Sequence, residues 1–168
     1  MPAVRPRETG WSLMLAATAA SLLSLMVLGL LAVSVGHHPW QVLNVSSQWW
    51  HGPTDAMSPA VDAARTGLGG VTHVGACLFW SLVALILQRR LQVRTLGGVW
   101  LIAVATAAAA FAVDYGLLSR RLSPGWHLLL PWGPVAAGFA AMGLGIGLGL
   151  AASHVLFREM RPPVRPKG

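Results

Sequence analysis

The stretch that decides the architecture is Pro134–Phe157, PVAAGFAAMGLGIGLGLAASHVLF. It holds no Asp, Glu, Lys or Arg, and about 20 such residues suffice to cross the hydrocarbon of a bilayer as an α-helix. Within it Ala137, Ala141, Gly145, Gly149 and Ser153 recur every four residues, with Gly143 and Gly147 as a second row. Lipid supplies no hydrophobic force to bring two helices together, so association relies on small residues that let backbones approach. The spacing therefore predicts a transmembrane helix with a smooth face packed on a neighbour. The alternating glycines from Gly143 to Gly149 resemble a phosphate-binding loop only superficially, because no strand precedes them and no lysine follows.

Three further stretches have the same character: Trp11 to Val35, Leu68 to Gln88, and Thr95 to Val113, the last continuing to Tyr115. The first follows Arg5 and Arg7 as a signal peptide would, but it exceeds the roughly 7–15 apolar residues of a signal sequence and lacks a small-residue cleavage site. It is expected to be retained. The composition agrees: 55% hydrophobic and 10% charged residues, against about 25% charged in soluble domains, with mean hydropathy +0.61. Disordered, coiled-coil and ordinary nucleic-acid-binding classes are excluded. The sequence predicts an all-α integral membrane protein: four spans (11–35, 68–88, 95–115, 134–157) in an up-down-up-down bundle. Smooth stripes on helix three (Trp100, Ala103, Ala107, Ala110, Asp114) and helix one (Ala17, Ser21, Ser24) would meet those of helix four.

The net charge of +7 is a matter of topology rather than of a polyanionic partner. Arg5, Arg7, Arg89, Arg90, Arg94, Arg158, Arg161, Arg165 and Lys167 fall on one side of a four-span chain, and only Arg65, Arg120 and Arg121 on the other. The positive-inside rule then makes both termini cytoplasmic. The tails, 1–10 and 158–168, flank one membrane domain; the second is basic, proline-rich and expected to be disordered. Of the outer connections, 36–67 carries Trp40, Leu43 and Trp50 at helical spacing, an expected interfacial helix. Ser58-Pro59 reads as an N-cap and first-turn proline of a short helix to Thr66, ended by Gly67, Gly69 and Gly70. Connection 116–133 holds the turn signals Ser123-Pro124-Gly125 and Pro131-Trp132-Gly133-Pro134.

Asp114 is the only acidic side chain within reach of a span, and an ionisable group there is a functional hypothesis by default. His73, with Cys77 and Trp80 on its face, begins helix two at the same end, so the two fall near one depth. The expectation is an outer polar site of His73, Asp114, Tyr115, His37, His38, Arg120 and Arg121. In it Asp114 stays ionised and pairs with His73 or an arginine. The competing reading makes Asp114 a helix end at the interface, Tyr115 an interfacial anchor and His73 a buried histidine bonded to a backbone carbonyl. Five of the six histidines lie on the outer side. A haem between His73 and His37 or His38, or a divalent metal held by His73, Asp114 and a loop histidine, is a further alternative. No cofactor is otherwise expected. Cys77 alone cannot form a disulfide within the chain or a cysteine-based zinc site. No serine elbow, HExxH pair or paired carboxylates signals hydrolase or transferase chemistry. Asn44-Val-Ser46 is a glycosylation triplet of a kind that arises often by chance.

Three stretches carry a resemblance: Leu43-Asn-Val-Ser-Ser-Gln-Trp-Trp-His-Gly52; Thr66-Gly-Leu-Gly-Gly-Val-Thr-His73 with Phe79-Trp80; and Val113-Asp-Tyr-Gly116 with Arg121-Leu-Ser-Pro-Gly-Trp126. The chain resembles small four-helix inner-membrane proteins of unknown function in bacteria, from helix one to the middle of helix four. The resemblance implies a bacterial inner-membrane location and no assigned activity. The expected function is a non-enzymatic accessory or scaffolding membrane protein, whose glycine stripes and outer loops contact a membrane-protein partner or a second copy. The alternative is a small transporter or sensor using the outer polar site. A nucleic-acid partner is not expected. For the topology, a reporter active only in the cytoplasm should work when fused after Lys167 and be silent at Thr54; activity at Thr54 would reverse the assignment.

Overall fold

The computed structural model describes residues 6–159. All regular structure among these residues is helical. Helix α1 (Pro6–Ser34) leads into three short helices, α2 (Gln41–Val45), α3 (Gln48–His51) and α4 (Pro53–Ala56). Helices α5 (Leu68–Arg90), α6 (Leu96–Ala112) and α7 (Trp132–Glu159) follow. A wide turn at Ala63–Gly67 runs directly into α5, and a second, Val113–Leu117, extends α6. With these turns four helices are long and apolar enough to cross a membrane: Glu8–Ser34, Ala63–Arg90, Leu96–Leu117 and Trp132–Leu156. They coincide with the four expected spans, although α1 starts earlier, at Pro6. The expectation of a disordered C-terminal tail falls on residues 160–168, outside those described.

The long helices pack antiparallel. A side chain added at Gly145 would strike the backbone of Ala19 and Ala20, and one at Gly149 that of Leu15 and Ala16. Gly138 lies against Leu28. Rising numbers on α7 thus meet falling numbers on α1. The second row does the same on another neighbour, with Gly143 against Ala107 and the Ala103 carbonyl, and Gly147 against the ring of Trp100. One helix therefore seats α1 along one glycine row and α6 along the other. In the expected stripe Ala141, Gly145, Gly149 and Ser153 are buried and Ala137 is half-buried. Helix α5 packs on α1, where Ser24 meets His73 and Thr9 Oγ1 accepts a 2.6 Å bond from Arg89. Its contact with α6 is slighter. The short α5–α6 turn ends where Thr95 Oγ1 accepts from the Gly98 N–H and caps α6. Outward-facing Leu22, Leu30, Leu101 and Val104 are more than half exposed, as lipid-facing residues are.

The connection 36–67 differs from its expected form. Gln41, Asn44 and Gln48, spaced at one helical face, are the buried side, while Trp50 is 66% exposed. The segment packs against the ends of α1 and α5 as a folded cap, and does so with its amides inward. Residues 58–62 are not helical, so Ser58 caps nothing of the expected kind. The cause is that their carbonyls are already bound: Asn44 Nδ2 donates to Ser58 and Ala60, and Trp40 Nε1 to Pro59. The cap falls instead on Asp62, whose carboxylate accepts the Arg65 N–H at 2.7 Å. Gly67, Gly69 and Gly70 do not end a helix but open α5. Gly69 is required there because the Leu43 carbonyl lies where a Cβ would be.

Replacing Gly145 or Gly149 with leucine should lower the melting temperature of the reconstituted chain, since overpacking costs about 1–3 kcal/mol and more when backbone must move. Gly97→Ala, at a position facing open space, should change little. Melting by circular dichroism checks this; wild-type melting of both leucine variants would mean the α1–α7 contact is absent.

Candidate functional site

At the end of the bundle that carries the two long connections, a cavity of about 430 Å³ lies under the cap, between α5, the turn after α6 and α7. Its wall comes from α5 (Thr72, His73, Ala76, Cys77, Phe79, Trp80), from Trp49 of the cap, from Asp114 in the turn after α6, from Leu122, Ser123 and Trp126, and from Phe139 and Met142 of α7. A smaller cavity of about 360 Å³ lies beside it, bordered by Tyr115, Arg120, His127 and Trp132, with Asp114, Leu118 and Ser123 in both walls.

The cap is held over this space by side-chain amides. Gln48 Nε2 donates to the carbonyls of Arg120 and Ser123 at 2.9 and 2.8 Å, joining the two connections. Gln41 accepts from the His38 N–H and donates to the Met57 carbonyl. Asn44 Oδ1 accepts from Thr66 Oγ1 at 2.6 Å. Trp126 Nε1 donates to Ser46 Oγ, and Trp49 Nε1 to Thr72 Oγ1. Gly125, at φ +79°, sits where the Val45 carbonyl leaves no room for a Cβ, a left-handed position that suits glycine. Backbone carbonyls drawn under a cap need partners, and these amides supply them. Asn44, 0% exposed and fully bonded, is no glycan acceptor in this fold.

His73 lies deeper than expected. The wide turn from Ala63 prolongs its helix, so it stands ten residues in, about 15 Å at 1.5 Å per residue. Its Nε2 is 3.1 Å from Ser24 Oγ. Ser24 gives its one proton to the Ala20 carbonyl at 2.6 Å, so His73 Nε2–H donates to Ser24. The ring leans on Trp126, centroids 5.9 Å apart, and Cys77 Sγ is 3.6 Å from Nε2. His73 thus bonds the Ser24 hydroxyl, with the backbone of Ser21 also within hydrogen-bonding reach, and does not pair with Asp114.

Asp114 is half-buried and shares the larger cavity with His73. The expected ion pair does not form: among the described residues neither His73, Arg120 nor Arg121 bridges it. Arg121 is held elsewhere, its Nε donating to the Trp49 carbonyl, and Arg120 borders the smaller cavity with Asp114 but does not bridge it. Tyr115 is no interfacial anchor. It packs inward among Phe111, Phe139, His127 and Trp132, with its hydroxyl buried and unbonded. Burial and the Arg120 charge hold the His127 pKa below its ordinary value. His38 stacks on Trp40, and neither it nor His37 lines the His73 cavity. Among the described residues no three His, Cys, Asp or Glu side chains gather as a metal site.

A separate cluster clamps the cap. Arg65 bridges Asp55 at 2.6 Å and Asp62, and His51 bonds the Ala64 carbonyl at 2.9 Å through Nε2, with Nδ1 3.4 Å from Asp55. Hydrogen bonds from Arg65 push the pKa of both aspartates below the ordinary 3.8. These amide and arginine partners were not singled out in the sequence; the signal available was the spacing of Gln41, Asn44 and Gln48.

Comparisons with protein-family models, with curated proteins and with solved structures return no match. They identify no family.

Two outcomes follow. Gln48→Leu strands two carbonyls, each worth about 1–3 kcal/mol when buried unpaired, and should expose the cap to proteolysis and amide exchange; unchanged exchange would mean the amide does not hold it. Because the folded pKa values of Asp55 and Asp62 are depressed, their ionised forms stabilise the cap above pH 3.8, and that support is lost as pH falls through the lower folded values. Arg65→Gln should flatten the pH dependence of cap exchange in that range, whereas an unaltered profile would discount the clamp.

Proposed function

We propose that this chain is a four-span bacterial inner-membrane protein with both termini cytoplasmic, and that its outer end binds a small, largely apolar molecule as a sensor or carrier. One observation carries the reading: the cavity between α5, α6 and the cap, lined mostly by aromatic and aliphatic side chains with Asp114, His73 and Thr72 among them. Ligand sites have this constitution, apolar walls with a few converging polar groups and volumes of about 300–1,000 Å³. The antiparallel seating of α1 on α7 puts the two tail-bearing helix ends together, in accord with the arginine distribution. The accessory-protein reading drew on the glycine rows and the outer loops for a partner; the rows are occupied by α1 and α6 within the chain, which leaves it the loops alone. Cys77 and His73 stand 3.6 Å apart in this wall, but the His73 Nε2 proton is directed to Ser24, so the ring nitrogen facing the thiol is not free to act as its base, and binding rather than catalysis is the reading.

Nile red, an uncharged lipophilic fluorophore, tests this with the full chain in lipid nanodiscs. Saturable binding of one dye per chain is expected above the signal of empty discs. Ala76→Trp should weaken it at least tenfold, since Ala76 is an exposed cavity-wall position where an indole fills the space without disturbing the core. Non-saturating uptake, identical in the variant and in empty discs, would overturn the proposal.

A further inference from the structure

We infer that the larger cavity selects molecules carrying a positive charge on an apolar body. The inference rests on the binding role proposed above and specifies its ligand. Of the side chains in this wall, Asp114 is the one carboxylate, and neither lysine nor arginine joins it. No nearby cation forms an ion pair with it. Arg65 is held by Asp55 and Asp62, Arg121 bonds the Trp49 carbonyl, and Arg120 shares the wall of the smaller cavity with Asp114 without bridging it. His73, the other titratable base in the wall, gives its Nε2 proton to Ser24. Asp114 therefore has no ion-pair partner among the described residues. The same wall presents the rings of Trp49, Phe79, Trp80 and Trp126. An aromatic face carries negative charge density and attracts a cation within about 6 Å of its centre, most strongly for tryptophan. A carboxylate without a counter-ion and four aromatic rings around one apolar space make an environment that favours an amine, quaternary ammonium or phosphonium group and opposes an anion of the same shape. Such a group occurs both in lipid headgroups and in free lipophilic cations.

Tetraphenylphosphonium and tetraphenylborate, alike in shape and opposite in charge, test the inference by equilibrium binding to the full chain in nanodiscs, with empty discs subtracted. Tetraphenylphosphonium should bind saturably and compete with Nile red, and tetraphenylborate should bind at least tenfold more weakly. Asp114→Asn should reduce tetraphenylphosphonium affinity about tenfold while leaving Nile red binding in place, and Asp114→Glu should retain most of the affinity. If Asp114→Asn does not fold, the ratio of the two ions on the unaltered chain decides alone. Equal affinity for the two ions, with Nile red still bound, overturns the charge selectivity and leaves the binding role standing. Failure of all three probes to saturate removes both. With selectivity established, discs of phosphatidylglycerol are compared with discs containing phosphatidylethanolamine. Weaker phosphonium binding in the second identifies a lipid headgroup as the competing occupant, and equal binding identifies a free cation; the inference holds in either case.

Discussion

Close backbone approach along α7 is the constraint on which the rest of the structure depends. Two glycine rows on one helix seat both neighbours closely: Gly145 and Gly149 meet the backbone of α1, and on the other side Gly143 meets Ala107 and the Ala103 carbonyl while Gly147 receives the Trp100 ring. In lipid, van der Waals contact at such distances is the main source of helix association. Three helices are drawn together by it. Helix α5 has no such glycine row in contact with α6 and rests mainly on α1. The cavity lies beside its loop end, between α5, the turn after α6 and α7.

That space then has to be roofed, and apolar packing alone does not roof it. The two long connections expose backbone carbonyls that burial would leave unpaired, and an unpaired buried carbonyl costs about as much as a hydrogen bond is worth. Gln41, Asn44 and Gln48 answer that demand, the first two holding carbonyls of 57–60 and the third those of Arg120 and Ser123. The same folding carries Arg121 to Trp49 and Arg65 to the cap aspartates. Asp114 is left in the cavity wall without a counter-ion. Its chemistry is thus a by-product of how the cap is tied down.

The four spans were legible because a run of about 20 uncharged residues has one physical meaning in a chain of this composition. The α7 stripe was legible for a related reason: glycine every fourth residue in a span has little use other than close packing. Gly138, off both rows, was missed, and it sits against Leu28. The inward face of the cap was not legible: the tryptophans pointed to an interfacial helix, and nothing in their spacing showed that Gln41, Asn44 and Gln48 would turn inward to bond carbonyls. His73 and Asp114 were brought to one cavity as their common end of the bundle implied. Their pairing was not legible. It depends on whether Ser24 reaches His73 first and on where loop arginines go, and neither follows from position along a helix.

Photo-crosslinking gives the most direct test of the account, since it reports where an apolar molecule rests on the full chain in its membrane. A small lipophilic diazirine, activated in nanodiscs and mapped by peptide mass spectrometry, should show a saturable component on the cavity-wall segments that hold Phe79, Trp80, Leu122 and Trp126. Labelling confined to the lipid-facing positions Leu22, Leu30, Leu101 and Val104, with no saturable component, would contradict it.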